Sequence, residues 1–420
     1  MTHLHCLAIL MKSDAIVIGA ELDGLIAAMR LAENGHSVQV LSNGMSSLNY
    51  APDGIQVLGH IANGIVISDP FDAISSLDSS HPYRILGADQ LKQALEWYVD
   101  VRKRLGLPVV VDSNNQQAIS AAGLPLPVYA TTEHQATFDK VHGKITAIIR
   151  FAGHRDSPGE LLANGLARQS IQSVIVEFDS PGSVVENAAL AKTFDTMDAL
   201  EHYFECLRKE IPEQIQAVVF PAVMGLKNHQ SVLSTAERVL GLPCFEIPTL
   251  PLSVPGMRLE QGFRKNLKEA GVVLQTGVYP TACSIGVDDR INVTDESGRN
   301  HQASVVVLSS GGVLMGGLDV DSRGRVQETA FELDVYQTAP LTANGPNEVL
   351  DALHNTGVDT DYALRPKMNS TGYFKNLFVT GHTLAHWNPS KEGSANGVCI
   401  ATGWAAAGNA LMYLEERNAA

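Results

Sequence analysis

Apolar and polar positions fall into recognisable periods early in the chain. Ala15-Ile16-Val17-Ile18 is a continuous apolar run of the length of a buried strand. After a turn, Leu22, Leu25, Ile26 and Met29 recur at the spacing of one helix face. Gly35 is free to take a positive φ and stop that helix, and Val38-Gln39-Val40-Leu41 reads as a second strand. The opening is therefore a βαβ unit of about 30 residues. The pattern loosens between Tyr50 and Asp69, and an amphipathic helix follows within HPYRILGADQLKQALEWYVDVRKRLGL.

Three β-branched or apolar runs come next, KITAIIRF, SVIVEF and AVVFPAV, at intervals that leave room for a helix between each pair. GVVLQTGV, INVTDESGR and ASVVVLSSGG then read as later strands of a first sheet, to which the chain returns. KNLFVTGHTLAH is a last buried strand running into a loop, and GVCIATGWAAAGNALMYLEE is a final helix rich in small residues at its start. This order predicts an α/β protein, a Rossmann-like flavoprotein core of the two-dinucleotide-binding type. The core is discontinuous over residues 1–106 and 266–420. A second α/β domain on the substrate or partner side is inserted at 107–265.

Composition narrows the function classes. The chain has 420 residues, 45% of them hydrophobic and 18% charged, which suits a protein with a real core rather than a disordered one. A net charge of −15 repels a phosphate backbone, so nucleic-acid binding is not expected. A small phosphate-bearing substrate stays open, because one local basic pocket suffices. Cys6, Cys206, Cys244, Cys283 and Cys399 lie far apart with no C-x-x-C pair, which argues against a disulfide framework, a cluster or a metal site. They fit a reducing, cytoplasmic setting. No run of about 18 apolar residues is present, so any link to a membrane is expected to pass through a partner. Met11 stands just before the first strand, and the ten residues ahead of it read as an upstream-start or frayed extension.

Chemistry concentrates at the turns after strands. Gly19-Ala20-Glu21-Leu22-Asp23-Gly24 aligns with G-x-G-x-x-G. Gly19 supplies the tight turn and Gly24 the close helix–strand contact. The middle glycine, which lets the backbone meet a pyrophosphate, is replaced by Glu21. The second strand ends at Ser42, with no acidic residue to hold an adenosine ribose. Two readings stand side by side: a βαβ unit that has lost tight dinucleotide binding, and a variant with Glu21 turned away. Ser309-Ser310-Gly311-Gly312 ends another apolar strand, as a cofactor-side turn or as a plain one. Gly381-His382 ends the last strand, where His382 can serve a ribityl chain, a phosphate or a proton, or be structural. Ser394, Asn396 and Gly397 precede the last helix, suited to a flavin ring or to an ordinary cap. Arg258 and Arg365 are the guanidinium candidates for a substrate phosphate, against the usual surface role.

HPYRILG, LPCFEIPTLPLSVPGMRL, VVVLSSGGVLMGGL, DYALRPKM and NLFVTGH with GSANGVCIATG together resemble the family of B-type subunits of anaerobic glycerol-3-phosphate dehydrogenase, in the same order and over nearly the whole chain. The resemblance implies one subunit of a flavin-dependent oxidoreductase that holds FMN, with FAD as the other form. It implies two partners, a larger flavin subunit of the same complex and an iron–sulfur subunit that anchors the pair at the inner membrane. It implies oxidation of sn-glycerol 3-phosphate to dihydroxyacetone phosphate, with electrons passed to quinone and then fumarate or nitrate. His382 and His386 are the bases available for the carbinol proton. The sequence departs from the family at Glu21, at G-S-A-N-G and at His382, all on the cofactor side. A non-catalytic scaffold of flavoprotein fold and a flavoenzyme for another substrate are the competing expectations.

Overall fold

A computed structural model describes residues 11–44, 46–61, 64–341, 346–368 and 372–419. Cys6 and the extension ahead of Met11 lie outside them. The opening unit runs β1 (Met11–Ile18), α1 (Leu22–Glu33) and β2 (Val38–Ser42). The helix face read from the sequence is the buried one, with Leu25 and Ile26 fully enclosed. The amphipathic helix is α2 (Ala88–Arg104), after a one-turn helix at Pro82–Leu86. A long hairpin, β3 (Val110–Ile119) and β4 (Pro125–Thr131), comes next.

The inserted unit has its own sheet of four parallel strands. They are β5 (Thr146–Phe151), β6 (Ser173–Phe178), β7 (Ala217–Pro221) and β8 (Cys244–Ile247), in the order β8-β7-β5-β6. Helices cover both faces, as parallel strands require. Ile149, Phe151, Val218 and Phe220 pack on one side with Phe194 and Phe204, while Ile148 and Val219 pack on the other with Leu162 and Leu166.

The chain returns through α3 (Val254–Glu269) to β9 (Val273–Thr276), β10 (Pro280–Ile285), β11 (Ile291–Asp295) and β12 (Asn300–Leu308), and later to β13 (Leu377–Val379) and α4 (Ala395–Ala419). The large sheet has the order β9-β2-β1-β12-β11-β10, with β13 beside the end of β12. β9, β2, β1, β12 and β13 run parallel to one another, and β11 and β10 fold back antiparallel. Ile18 pairs with both Leu41 and Leu308, and Leu308 with Val379, so four strand ends stop along one edge. That edge is where open α/β sheets bind ligands.

The boundaries of the insertion shift. Residue 265 falls inside α3, and Leu259, Phe263 and Leu267 of that helix belong to the core of the first unit. The hairpin belongs to both units: Ala130 bridges to Ile55, and Ala118 to Thr137. The last helix is long and apolar enough to cross a bilayer, but most of it is core. Its small residues permit that, since a Cβ on Gly403 would lie 2.4 Å from the Asp23 carbonyl oxygen of α1.

Candidate functional site

The four aligned strand ends build the floor of a crevice. Gly19 leaves β1 with φ +107, and a Cβ there would sit 1.7 Å from the Ser309 carbonyl oxygen, so no other residue fits. Gly24 does the packing its place in the motif suggests, since a Cβ would come within 2.4 Å of the Gly19 carbonyl oxygen. Behind the turn lies Asp23, which is fully buried. One of its carboxylate oxygens accepts the hydroxyls of Ser309 and Thr380, each at 2.6 Å. The other has no hydrogen-bond partner among the described residues. This carboxylate ties α1 to the ends of β12 and β13, a role the motif gave no reason to expect of an x position.

Two chambers open above this floor. The first offers about 810 Å3 of open space beside Gly19, Ser42, Asn43, Gly44, Val278 and Tyr279. The second offers about 1210 Å3 and is mainly apolar, walled by Gly311, Gly312, Tyr50, Leu353, His354, His382 and Trp387. The His382 and Trp387 rings lie 4.9 Å apart. Burial pushes the His382 imidazole below its ordinary pKa, against the opposing pull of Asp23, so it is neutral near pH 7. Among the described residues, no Lys or Arg lines either chamber.

Glu21 stands between them. It is only 6% exposed. Its carboxyl group accepts the Ser47 N–H at 2.9 Å and the Ser47 and Ser46 hydroxyls. Glu21 lines the first chamber and Ser47 the second, and Leu314 and Met315 line both. Burial raises its pKa to about 7, with the Ser47 hydrogen bonds pulling down and Asp23 pushing up. The side chain is thus fastened to the segment after β2 and does not cap its own helix.

Of the residues read from the sequence, Gly19, Ser42, Gly311, Gly312 and His382 do line the crevice. Gly381, with φ +58, is packed against the Asp23 carboxylate, 2.5 Å from any Cβ it would carry. The others are placed elsewhere. His386 faces a separate cavity near Ser79 and Ser80, where it pairs with Asp359, so it is not a second base beside His382.

The loop before α4 is fastened to the chain at three groups. Gly397 N–H donates to the Gln56 carbonyl at 2.8 Å, Asn396 accepts the Gln56 N–H, and Ser394 donates to Glu392. Gln56 and Glu392 thus engage three of the groups in this loop.

Neither arginine is free. Arg258 is 5% exposed, gives both terminal nitrogens to Glu246 at 2.7 and 2.8 Å, and gives its Nε to the Gly225 carbonyl. Arg365 closes a turn on Asp361, as Arg299 does on Asp295 and Arg325 on Asp321. Spacing alone hid Trp387, five residues past His382, and His354, which sits on an otherwise unremarkable helix.

Residues 14–398 match the FAD binding domain family. Curated relatives cover almost the whole chain. The B-type subunit of anaerobic glycerol-3-phosphate dehydrogenase from Vibrio vulnificus (strain CMCP6) is 27% identical over 96% of this chain and 97% of its own. The protein of the same name from Yersinia pseudotuberculosis is 27% identical over 93% and 96%. Among solved structures, glycine oxidase from Geobacillus kaustophilus is 12% identical with a TM-score of 0.36, over 97% of this chain and 95% of that one. 3-Ketosteroid delta1-dehydrogenase from Sterolibacterium denitrificans is 12% identical with a TM-score of 0.45, over 96% and 100%.

Proposed function

The chain belongs to the FAD binding domain family, and from that premise we propose that it is the B-type component of a respiratory flavin-dependent glycerol-3-phosphate dehydrogenase. The observation that carries this reading is the end-to-end likeness to relatives of that name, over 96% of the chain. The complex oxidises sn-glycerol 3-phosphate to dihydroxyacetone phosphate and hands electrons towards quinone. Its partners are an iron–sulfur subunit, which holds the assembly at the inner face of the membrane, and a larger flavin subunit.

The family name points to FAD, and the crevice bears on which flavin form this reading takes. The two chambers share Leu314 and Met315, and Glu21 of the first is hydrogen-bonded to Ser47 of the second. That bond supports an isolated ring system in the apolar second chamber over a dinucleotide laid through both. FMN, which has no adenylate, is the flavin form this reading favours. A bound flavin ring supplies the hydride acceptor, and the chain's own residues supply position and proton chemistry. Trp387 forms a flat wall. His354 and His382 both face this chamber, and His382, neutral and beside Trp387, is the group this reading assigns to take a carbinol proton.

That no cation among the described residues lines the chambers favours a second reading, in which the phosphate ester binds on the partner and this chain is a scaffold with a flavoprotein fold. The test is a purified complex assayed for sn-glycerol 3-phosphate oxidation with a dye acceptor, as wild type and as His382→Ala. Loss of roughly a hundredfold or more in kcat with the complex intact supports the redox reading. Unchanged turnover leaves the chain as scaffold. No turnover by any assembled complex sinks both.

A further inference from the structure

We infer that Glu21 is the selectivity residue of this crevice: its carboxyl group, fastened across the gap to Ser46 and Ser47, keeps a flavin dinucleotide from spanning the two chambers. The inference rests on the crevice being a flavin site and not on the identity of the substrate.

The position itself is decisive. In a βαβ turn of this kind the middle residue is where the backbone must approach a pyrophosphate, and any side chain stands in its way. Glu21 does not cap its own helix, although it sits at the N-cap of α1. It reaches across to the segment after β2, accepting the Ser47 N–H at 2.9 Å and the Ser46 hydroxyl at 3.4 Å. Gly311 leaves room for the side chain, since a Cβ there would come 3.2 Å from the Glu21 Cγ.

The far anchor is itself held. Ser47 begins a short helical turn, Ser47–Tyr50, against which α3 packs so closely that a Cβ on Gly256 would lie 1.7 Å from the Leu48 carbonyl oxygen. Asn49 in that turn donates to Glu260 of α3 at 2.7 Å. The bar is therefore built from both ends and is not one mobile side chain. A diphosphate would have to displace these hydrogen bonds and sit against the carboxyl group, with like charges once it ionises. A ligand confined to the apolar chamber meets no such obstacle.

The experiment is a titration of the full-length chain with FAD and, separately, with riboflavin, read by flavin fluorescence and by the visible absorbance retained after gel filtration. Wild type, Glu21→Gly and Ser47→Ala are compared. Glu21→Gly is expected to gain at least about tenfold in FAD affinity, with a smaller gain for Ser47→Ala and little change for riboflavin in either variant. Wild type binding FAD as tightly as Glu21→Gly overturns the inference. So does an equal gain for riboflavin, because the block would then not be against the diphosphate. If Glu21→Gly fails to fold by circular dichroism, Ser47→Ala decides alone: a selective FAD gain supports the bar, and no gain overturns it. The glycerol 3-phosphate assay of the complex is independent of this result, so failure of the proposed activity is seen separately.

Discussion

Glu21 shows how one residue converts burial into pH dependence. Its carboxyl group is raised from 4.5 to about 7, chiefly because water has been removed from around it. The sign follows directly. Below pH 4.5 folded and unfolded chains both carry the proton, and nothing is lost. Between pH 4.5 and about 7 the unfolded chain ionises while the folded one does not, so stability falls as pH rises. At about 1.4 kcal/mol per unit, the shift sets an upper bound of about 3.5 kcal/mol. Glu21→Gln, which cannot ionise, is expected to match wild type near pH 4.5 and to exceed it by up to that amount at pH 8. Urea unfolding at the two pH values measures this, and parallel curves at both would show that the carboxyl is not desolvated. Arg365 is the contrasting case. Its pairing with Asp361 is part of a local turn, and Arg365→Ala is expected to cost about 1 kcal/mol or less. A rise in the substrate KM of the complex, with that stability intact, would restore it as a phosphate ligand.

At the scale of elements, the strands and helices with strong periods were legible because their pattern is local. The run from Ala15 to Ile18, the face of α1 and three of the four parallel strands all follow from residues close in sequence, while β8 is not among the strands read from it. What escaped the sequence depends on contacts between distant segments. Ser394, Asn396 and Gly397 read as a ligand-binding helix entrance, and nothing local shows that Gln56 takes the Gly397 N–H and gives its own to Asn396. Arg258 stands near the start of a helix, a place suited to a phosphate ligand, yet Glu246 reaches it across a domain boundary that no local pattern marks. Gly397 gives the sharpest test of that packing. A Cβ there would lie 2.1 Å from the Tyr83 hydroxyl oxygen, whose proton is already given to the Val57 carbonyl at 2.6 Å. Gly397→Ala is expected to destabilise by about 1–3 kcal/mol through overpacking, seen as a lower midpoint in denaturant. If the loop instead cradled a ligand with room to spare, the midpoint would not move.

At the scale of the molecule, the two sheets have separate cores, and α3 joins them. Val254 at its start packs into the inserted unit, while Leu259, Phe263 and Leu267 pack into the first. Between these lies Arg258, whose guanidinium meets Glu246 at the end of β8 and the Gly225 carbonyl beyond β7. Glu246 in turn accepts the Met224 N–H at 2.9 Å, so one buried carboxylate organises the strand ends of the inserted unit and fastens them to the helix of the other. A buried pair of this kind contributes little net free energy compared with apolar replacements, but removing one partner leaves a charge without compensation. Arg258→Met is accordingly expected to cost about 3–5 kcal/mol and to separate denaturant unfolding into two transitions, because the joint fails before either core does. Adding Glu246→Leu to it should recover much of the loss, since the stranded carboxylate is then gone. A single, unshifted transition for Arg258→Met would mean that the helix surface alone couples the units and that the ion pair is incidental to how the crevice in the first unit is held against the second.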